Sequence, residues 1–339
     1  MSEHVEPEKV DKLIAETLLK QRRIILKHLL SHVGCKEPKR LYDAARHLIL
    51  AGGKLLRPAL MVLSCQAVGG DPELAYFASP GAELGHVASL IHDDIIDQDE
   101  VRRGVPAVHV KYGVPMAILA GDLLIVKSFQ MVIRLVKEKN FPPDRAIRLL
   151  DLSCRLGIDL AEGETMDLEF LERTDVTIEE YLKMIELKTA RAFETGMMGG
   201  AILCGGSEEE IQALGKYGLY LGMAFQIQDD YLGSLGDERV LGKPVSDIVR
   251  GRRNFLIIYA LNHAEKEDKT ELINMLTGKS EVNVKRLREV LGKCGAIEKA
   301  RELVEYYTEK AIESLRPVRE TPTKQILIGL AKYLKTRVK

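Results

Sequence analysis

The stretch LIHDDIID, residues 90–97, places Asp93, Asp94 and Asp97 in an aliphatic run. On a helix Asp93 and Asp97 stand one turn apart on one face, with Asp94 beside them. Like charges at that spacing repel, more so when half-buried, and a cation is the natural compensation. Hard divalent ions such as magnesium take carboxylate and phosphate oxygens together. A second stretch, FQIQDDYLG at 225–233, repeats the arrangement with Asp229 and Asp230. One aspartate-rich helix end is most often a solvated face or is paired with arginine, and DEVRRG follows the first cluster directly. Two such clusters, each ending an apolar helical pattern, point to metal-assisted phosphate chemistry.

Basic residues answer the acids. AGGKLLRP sets Lys54 and Arg57 three apart just after a glycine pair, at the expected first turn of a helix. Free amides and the positive dipole end favour an anion there. Arg102 and Arg103 follow the first acidic cluster, Lys188 and Thr189 lie inside a helical pattern, and Lys243 and Arg252 follow the second cluster. Together they suggest two kinds of anion pocket: one built from cations alone, and one from carboxylate, metal and cation.

The elements that must position these groups are helices. Helical periodicity runs almost throughout, and no stretch alternates convincingly enough to make strands. Helices are predicted at 7–32, 38–50, 54–69, 72–98, 113–138, 142–170, 177–204, 207–234, 252–263, 265–277, 284–293, 296–314 and 320–336. The breaks carry Gly or Pro, as in GGDP at 69–72 and NFPP at 140–143, and none reads as a domain linker. One all-α domain, 1–339, is therefore expected. The patterns at 72–98 and 207–234 stay apolar until their acidic ends, which suggests a deep apolar cavity with a charged mouth.

Composition narrows the classes. With 46% hydrophobic and 29% charged residues and no Trp, the 339-residue chain fits a soluble, aliphatic-cored helical protein. A net charge of -1 provides no global basic field for nucleic acid. Five widely spaced cysteines without a CxxC pair predict neither a zinc site nor a disulfide framework, and they fit a reducing cytoplasm. MSEHVEPEKVDKL lacks the pattern of a secretory signal. VPMAILAGDLLIV is short for a bilayer span and is interrupted by Asp122, so no stable membrane insertion is expected.

Five blocks occur in one order over nearly the whole chain: GGKLLRP, LGHVASLIHDDIIDQDEVRRG, AILAGDLL, LKTA, and FQIQDDYLG leading into LGKPVSDIVRGRRN. In these the sequence resembles the trans-isoprenyl diphosphate synthases of the polyprenyl and geranylgeranyl type. The resemblance implies the isoprenoid-synthase fold, a large orthogonal helical bundle around a deep central tunnel, and a homodimer. It implies a head-to-tail prenyltransferase that joins isopentenyl diphosphate to an allylic diphosphate, giving a longer all-trans polyprenyl diphosphate and pyrophosphate. It also implies that the allylic diphosphate is held through Mg2+ ions, usually three, with Asp93, Asp94, Asp97, Asp229 and Asp230 as the metal's ligands or as partners of those ligands. Lys54, Arg57, His86 and Arg103 match the family's isopentenyl diphosphate groups. Arg102, Lys188, Gln226, Lys243 and Arg252 match those around the allylic diphosphate, with Thr189 beside the reacting carbon.

The chemistry agrees with that division. Ionising an allylic diphosphate separates a carbocation from an anionic leaving group, so metals and cations at the leaving group stabilise the transition state. Isopentenyl diphosphate must stay intact, and a metal-free pocket of Lys, Arg and His binds it without activating its carbon–oxygen bond. No dedicated protein base stands out. Thr189, Gln226 and an apolar wall are suited to shield the cation from water. Three positions depart from the family pattern. Gly233 stands where many members have a third Asp, leaving water or Asp247 as the replacement; GRRN replaces GKKT; and Gly163-Glu164 replaces a Gly-Gln pair.

Product length in this family is set by side chains beneath the first acidic cluster. Ser89 and Ala88 lie about one turn below Asp93 and Gly85 about two. All three are small, which predicts an open floor and a product of twenty-five carbons or more, with a geranylgeranyl (C20) diphosphate synthase as the alternative. A class I terpene cyclase would need no cation-only pocket, and a non-catalytic prenyltransferase subunit would tend to lose the acids or the basic groups. Both fit less well.

Overall fold

A computed structural model describes residues 7–235 and 252–336. Among the described residues the protein is helical apart from one hairpin. The helices are α1 (Pro7–Val33), α2 (Lys39–Leu50), α3 (Leu56–Ala67), α4 (Pro72–Ala78), α5 (Pro80–Ile96), α6 (Val108–Tyr112), α7 (Val114–Lys139) and α8 (Pro143–Leu171). They continue with α9 (Ile178–Ile185), a π-helical turn (Glu186–Ala190), α10 (Arg191–Leu203) and α11 (Glu208–Leu235). After residue 251 come α12 (Phe255–His263), α13 (Lys266–Leu276), α14 (Val284–Lys293), α15 (Ala296–Ser314) and α16 (Pro322–Thr336).

Two compact units emerge. The first comprises residues 1–154, 196–214 and 318–326. Its core gathers Ile25, Leu48, Val62, Leu84, Val87, Ile91 and Leu124 from α1, α2, α3, α5 and α7. The second comprises 155–195, 215–317 and 327–339, with a core of Phe170, Tyr181, Ile185, Ile227, Phe255 and Val304.

Local chemistry explains several boundaries. Thr177 opens α9 with a capping box, its hydroxyl taking the Glu180 amide while Glu180 returns to the Thr177 amide. Asn254 caps α12 by accepting from the Ile257 amide. The predicted helix 72–98 divides at Pro80, whose missing N–H suits the first position of a new helix. The expectation of no strands is corrected by the hairpin β1 (Val101–Arg102) and β2 (Val105–Pro106), too short to leave an alternating pattern. The cysteine reading is corrected too: Cys65 of α3 and Cys204 form a disulfide across 139 residues of sequence, a separation that no spacing motif reveals.

VPMAILAGDLLIV opens α7, which over its whole 26 residues is long and apolar enough to cross a membrane by length and composition alone. Ala117, Ala120 and Leu124 turn one of its faces into the first unit's core, while Leu119, Val126 and Ile133 stay exposed.

Candidate active site

In the first unit, α5 carries the acids at its C-terminal end. Asp97 is its C-cap, and its amide donates to the Asp93 carbonyl. Three carboxylates at the negative end of a helix dipole are unfavourable without a cation. Residues 85, 89, 93 and 97 form one half-open stripe, and Leu84, Val87, Ala88 and Ile91 form the buried face. A Cβ added at Gly85 meets nothing within 4 Å.

Asp94 is buried, and its Oδ1 accepts from Arg102 Nε at 2.6 Å. Arg102 also donates to Asp99 at 3.0 Å. Burial, opposed by Arg102, raises the Asp94 pKa above the ordinary carboxylate value. Its Oδ2 is buried with no hydrogen-bond partner. An acceptor-only oxygen in that state suits a cation, so the first cluster fits a hard divalent metal. Among the described residues no three His, Cys, Asp or Glu side chains converge into a cage. Magnesium needs none, since it keeps waters and takes one or two carboxylates with substrate phosphates.

Beside the acids lies a cationic group. Arg57 Nη1 donates to His86 Nε2 at 3.2 Å, which requires a neutral imidazole. Burial, with Arg57, Arg103 and Arg102 nearby, pushes the His86 pKa well below 6.5. Arg103 occupies the two-residue hairpin turn with Gly104, both at positive φ, as a type I′ turn requires. Its guanidinium donates to the Leu48 carbonyl at 3.0 Å and to buried Glu83 at 3.1 Å. Gly53 makes room for it, because a Cβ there would sit 2.8 Å from Arg103 Cζ. Lys54 precedes α3 rather than lying in its first turn, because Leu55 intervenes as N-cap in a left-handed conformation. Leu55 offers no side-chain cap to the amides of that turn.

The second unit holds a separate polar group. Gly163 of α8 lets the π-turn approach, since a Cβ there would lie 2.6 Å from the Lys188 amide nitrogen. Single π-turns of this kind recur at functional sites. Lys188 pairs with Glu164 at 2.8 Å and with Asp167 at 2.5 Å. Burial opposes its charge, but the two carboxylates raise its pKa above the ordinary lysine value. Thr189 Oγ1 donates to Gln226 Oε1 at 2.8 Å, and Gln226 Nε2 donates to Asp230 Oδ1 at 2.8 Å. Asp230 Oδ2 accepts from Tyr181 Oη at 2.6 Å and from the Phe255 amide at 3.0 Å. Arg253, next to Arg252, is buried and caps the end of α8 by donating to the Leu171 and Arg173 carbonyls.

Acids on a helix end, a neutral histidine among arginines and a lysine beside a threonine suit diphosphate chemistry. Residues 38–294 match the family model of the polyprenyl synthetases. The chain belongs to that family. It is a trans-isoprenyl diphosphate synthase and a prenyltransferase with the all-α isoprenoid-synthase fold. The short chain isoprenyl diphosphate synthase of Methanothermobacter thermautotrophicus is 44% identical, with 88% of this chain and 91% of that protein covered. The geranylfarnesyl diphosphate synthase of Aeropyrum pernix is 38% identical, covering 89% and 96% respectively. The crystal structure of geranylgeranyl pyrophosphate synthetase from Pyrococcus horikoshii aligns with a TM-score of 0.89 at 39% identity, covering 97% of this chain and 99% of that one.

Against the synthase motifs, the structure groups Arg57, His86 and Arg103 in one unit and Lys188, Thr189, Gln226 and Asp230 in the other. Arg102 turns to Asp94 and Asp99, and among the described residues Asp230 accepts from Gln226, Tyr181 and the Phe255 amide. Ala88 is packed in the core, unlike Gly85 and Ser89. Lys243 and Asp247 lie outside the described residues. Glu83, Asp167 and Tyr181 escaped the motif reading. Glu164 and Asp167 are visible in sequence as an acidic pair three apart, but their lysine partner lies on another helix.

Proposed function

We propose that this prenyltransferase elongates an allylic diphosphate with isopentenyl diphosphate to an all-trans product of twenty-five carbons or more, in the cytoplasm and as a homodimer working as a single 1–339 domain. The observation that carries the length is the half-open stripe of Gly85 and Ser89 below Asp93, where the growing tail runs along α5. A twenty-carbon product is the second reading, favoured by the geranylgeranyl pyrophosphate synthetase likeness. Dimerisation is supported by the exposed aliphatic face of α7, with Leu119, Val126 and Ile133 suited to a second copy.

Asp93, Asp94, Asp97 and Asp229 would hold Mg2+, three ions in our reading, with the allylic diphosphate. When bound, the metal neutralises charge developing on the departing pyrophosphate. Arg57, His86, Arg103 and Lys54 bind isopentenyl diphosphate without metal, so its carbon–oxygen bond stays intact. Neutral His86 gains its proton more readily beside a bound diphosphate. Lys188, Arg252 and Lys243 orient the allylic diphosphate, and Asp230 fixes Gln226. Thr189 and Gln226 present oxygen lone pairs to the allylic cation and, with the aliphatic wall, exclude water. The isopentenyl double bond attacks, and the released proton passes to pyrophosphate. The test is product chromatography with dimethylallyl, geranyl, farnesyl and geranylgeranyl diphosphates as primers. Products that stop at twenty carbons would establish the second reading, and products that stop at fifteen would overturn both.

A further inference from the structure

Asp230 is buried, and among the described residues three donors converge on it: Gln226 Nε2 at 2.8 Å, Tyr181 Oη at 2.6 Å and the Phe255 amide at 3.0 Å. A carboxylate only accepts, so Gln226 must turn its NH2 toward Asp230 and its carbonyl toward Thr189. The single hydroxyl hydrogen of Thr189 is then committed to Gln226 Oε1 at 2.8 Å. What the Thr189 oxygen offers in any other direction is lone pairs. The far end of the chain is anchored as firmly. Tyr181 is 1% exposed and packs on Phe255 with ring centroids 5.6 Å apart. The Phe255 amide opens α12, whose cap Asn254 also donates to Ser234 at 2.7 Å.

We propose that Tyr181 is a positioning residue which, through Asp230 and Gln226, fixes the polarity of the Thr189 hydroxyl so that its oxygen lone pairs face the allylic cation. The proposal rests on the placement of Thr189 beside the reacting carbon given under Proposed function. Without the Tyr181 hydroxyl, Asp230 Oδ2 keeps the Phe255 amide and the carboxylate can swing. Gln226 is then released to flip, and Thr189 can turn its hydrogen toward a developing positive charge. A preorganised dipole is lost without any change in substrate contacts.

The test is a double-mutant cycle between Tyr181→Phe and Thr189→Val, with kcat and both KM values measured beside the melting temperature. Tyr181→Phe is expected to lower kcat about tenfold, a fraction of what losing a whole preorganised group costs. Both KM values should stay within about twofold. In the double variant the effects are expected to be non-additive, with Tyr181→Phe costing almost nothing once Thr189 is Val. Additive losses, or an unchanged kcat with only a lower melting temperature, would overturn the proposal and leave Tyr181 a packing residue. If Tyr181→Phe does not fold, the cycle between Asp230→Asn and Thr189→Val carries the same expectation. A wild-type chain that condenses no substrates would refute the functional reading itself, whereas active wild type with additive variants refutes only this inference.

Discussion

Placing one aromatic ring at three positions on α5 separates an open wall from a packed one. Ser89 lies four residues before Asp93, about 6 Å along the helix, and Gly85 lies eight before, about 12 Å. Both are on the half-open stripe, and Gly85 has open space where a side chain would begin. Ala88 is 0% exposed among Leu84, Val87 and Ile91. Ser89→Phe gives up one hydrogen bond, from its hydroxyl to the His86 carbonyl at 2.9 Å, and sets a ring across the stripe. A half-exposed bond of that kind is worth about 1 kcal/mol or less. Ala88→Phe forces a ring into a filled core, at a cost of about 1–3 kcal/mol or more, and should lower the melting temperature by several degrees. The assay is chromatography of products made from farnesyl diphosphate, with melting curves on the same preparations. Ser89→Phe should shorten the product most, Gly85→Phe less, and Ala88→Phe should chiefly lose stability. A stable Ala88→Phe enzyme with short products, beside an unaffected Ser89→Phe, would refute the assignment of faces.

Other expectations follow from the same contacts. Glu164→Gln removes one of two carboxylates clamping Lys188, and KM for the allylic diphosphate should fall about fivefold while KM for isopentenyl diphosphate stays unchanged; steady-state kinetics checks this. His86 binds a proton more weakly folded than unfolded, because burial and Arg57 depress its pKa below 6.5. As pH falls through that value the unfolded chain gains protons first, so this contribution to stability shrinks below about pH 6.5. Urea melts at pH 7.5 and 5.5 should therefore show a smaller acid loss in His86→Gln than in wild type. Thiol titration of the denatured, unreduced protein should find three free cysteines, Cys35, Cys154 and Cys294.

The helices were legible because aliphatic periodicity and Gly or Pro punctuation decide them locally. Pro80 is a legible break as well, but the apolar pattern continues across it and hides the division. The π-turn at Glu186–Ala190 leaves no periodic signature, and its close approach to Gly163 is tertiary. The disulfide escaped for the same reason. In the site, residue types named the chemistry, but partners decided the roles. QDD offers its two acids as metal ligands or as partners of the ligands, and the sequence does not show that Tyr181 and the Phe255 amide, far along the chain, donate to Asp230. Small residues below Asp93 read alike until the helix is packed, and only packing separates Ala88 from Ser89.

The most direct measurement is incorporation of labelled isopentenyl diphosphate by the purified full-length chain, with farnesyl diphosphate as primer and with magnesium present or removed by chelation. Magnesium-dependent formation of an all-trans polyprenyl diphosphate longer than the primer, lost on chelation and severely reduced by Asp97→Asn, is the predicted result. Label remaining in isopentenyl diphosphate while the primer is hydrolysed or cyclised, with magnesium present, would contradict the account.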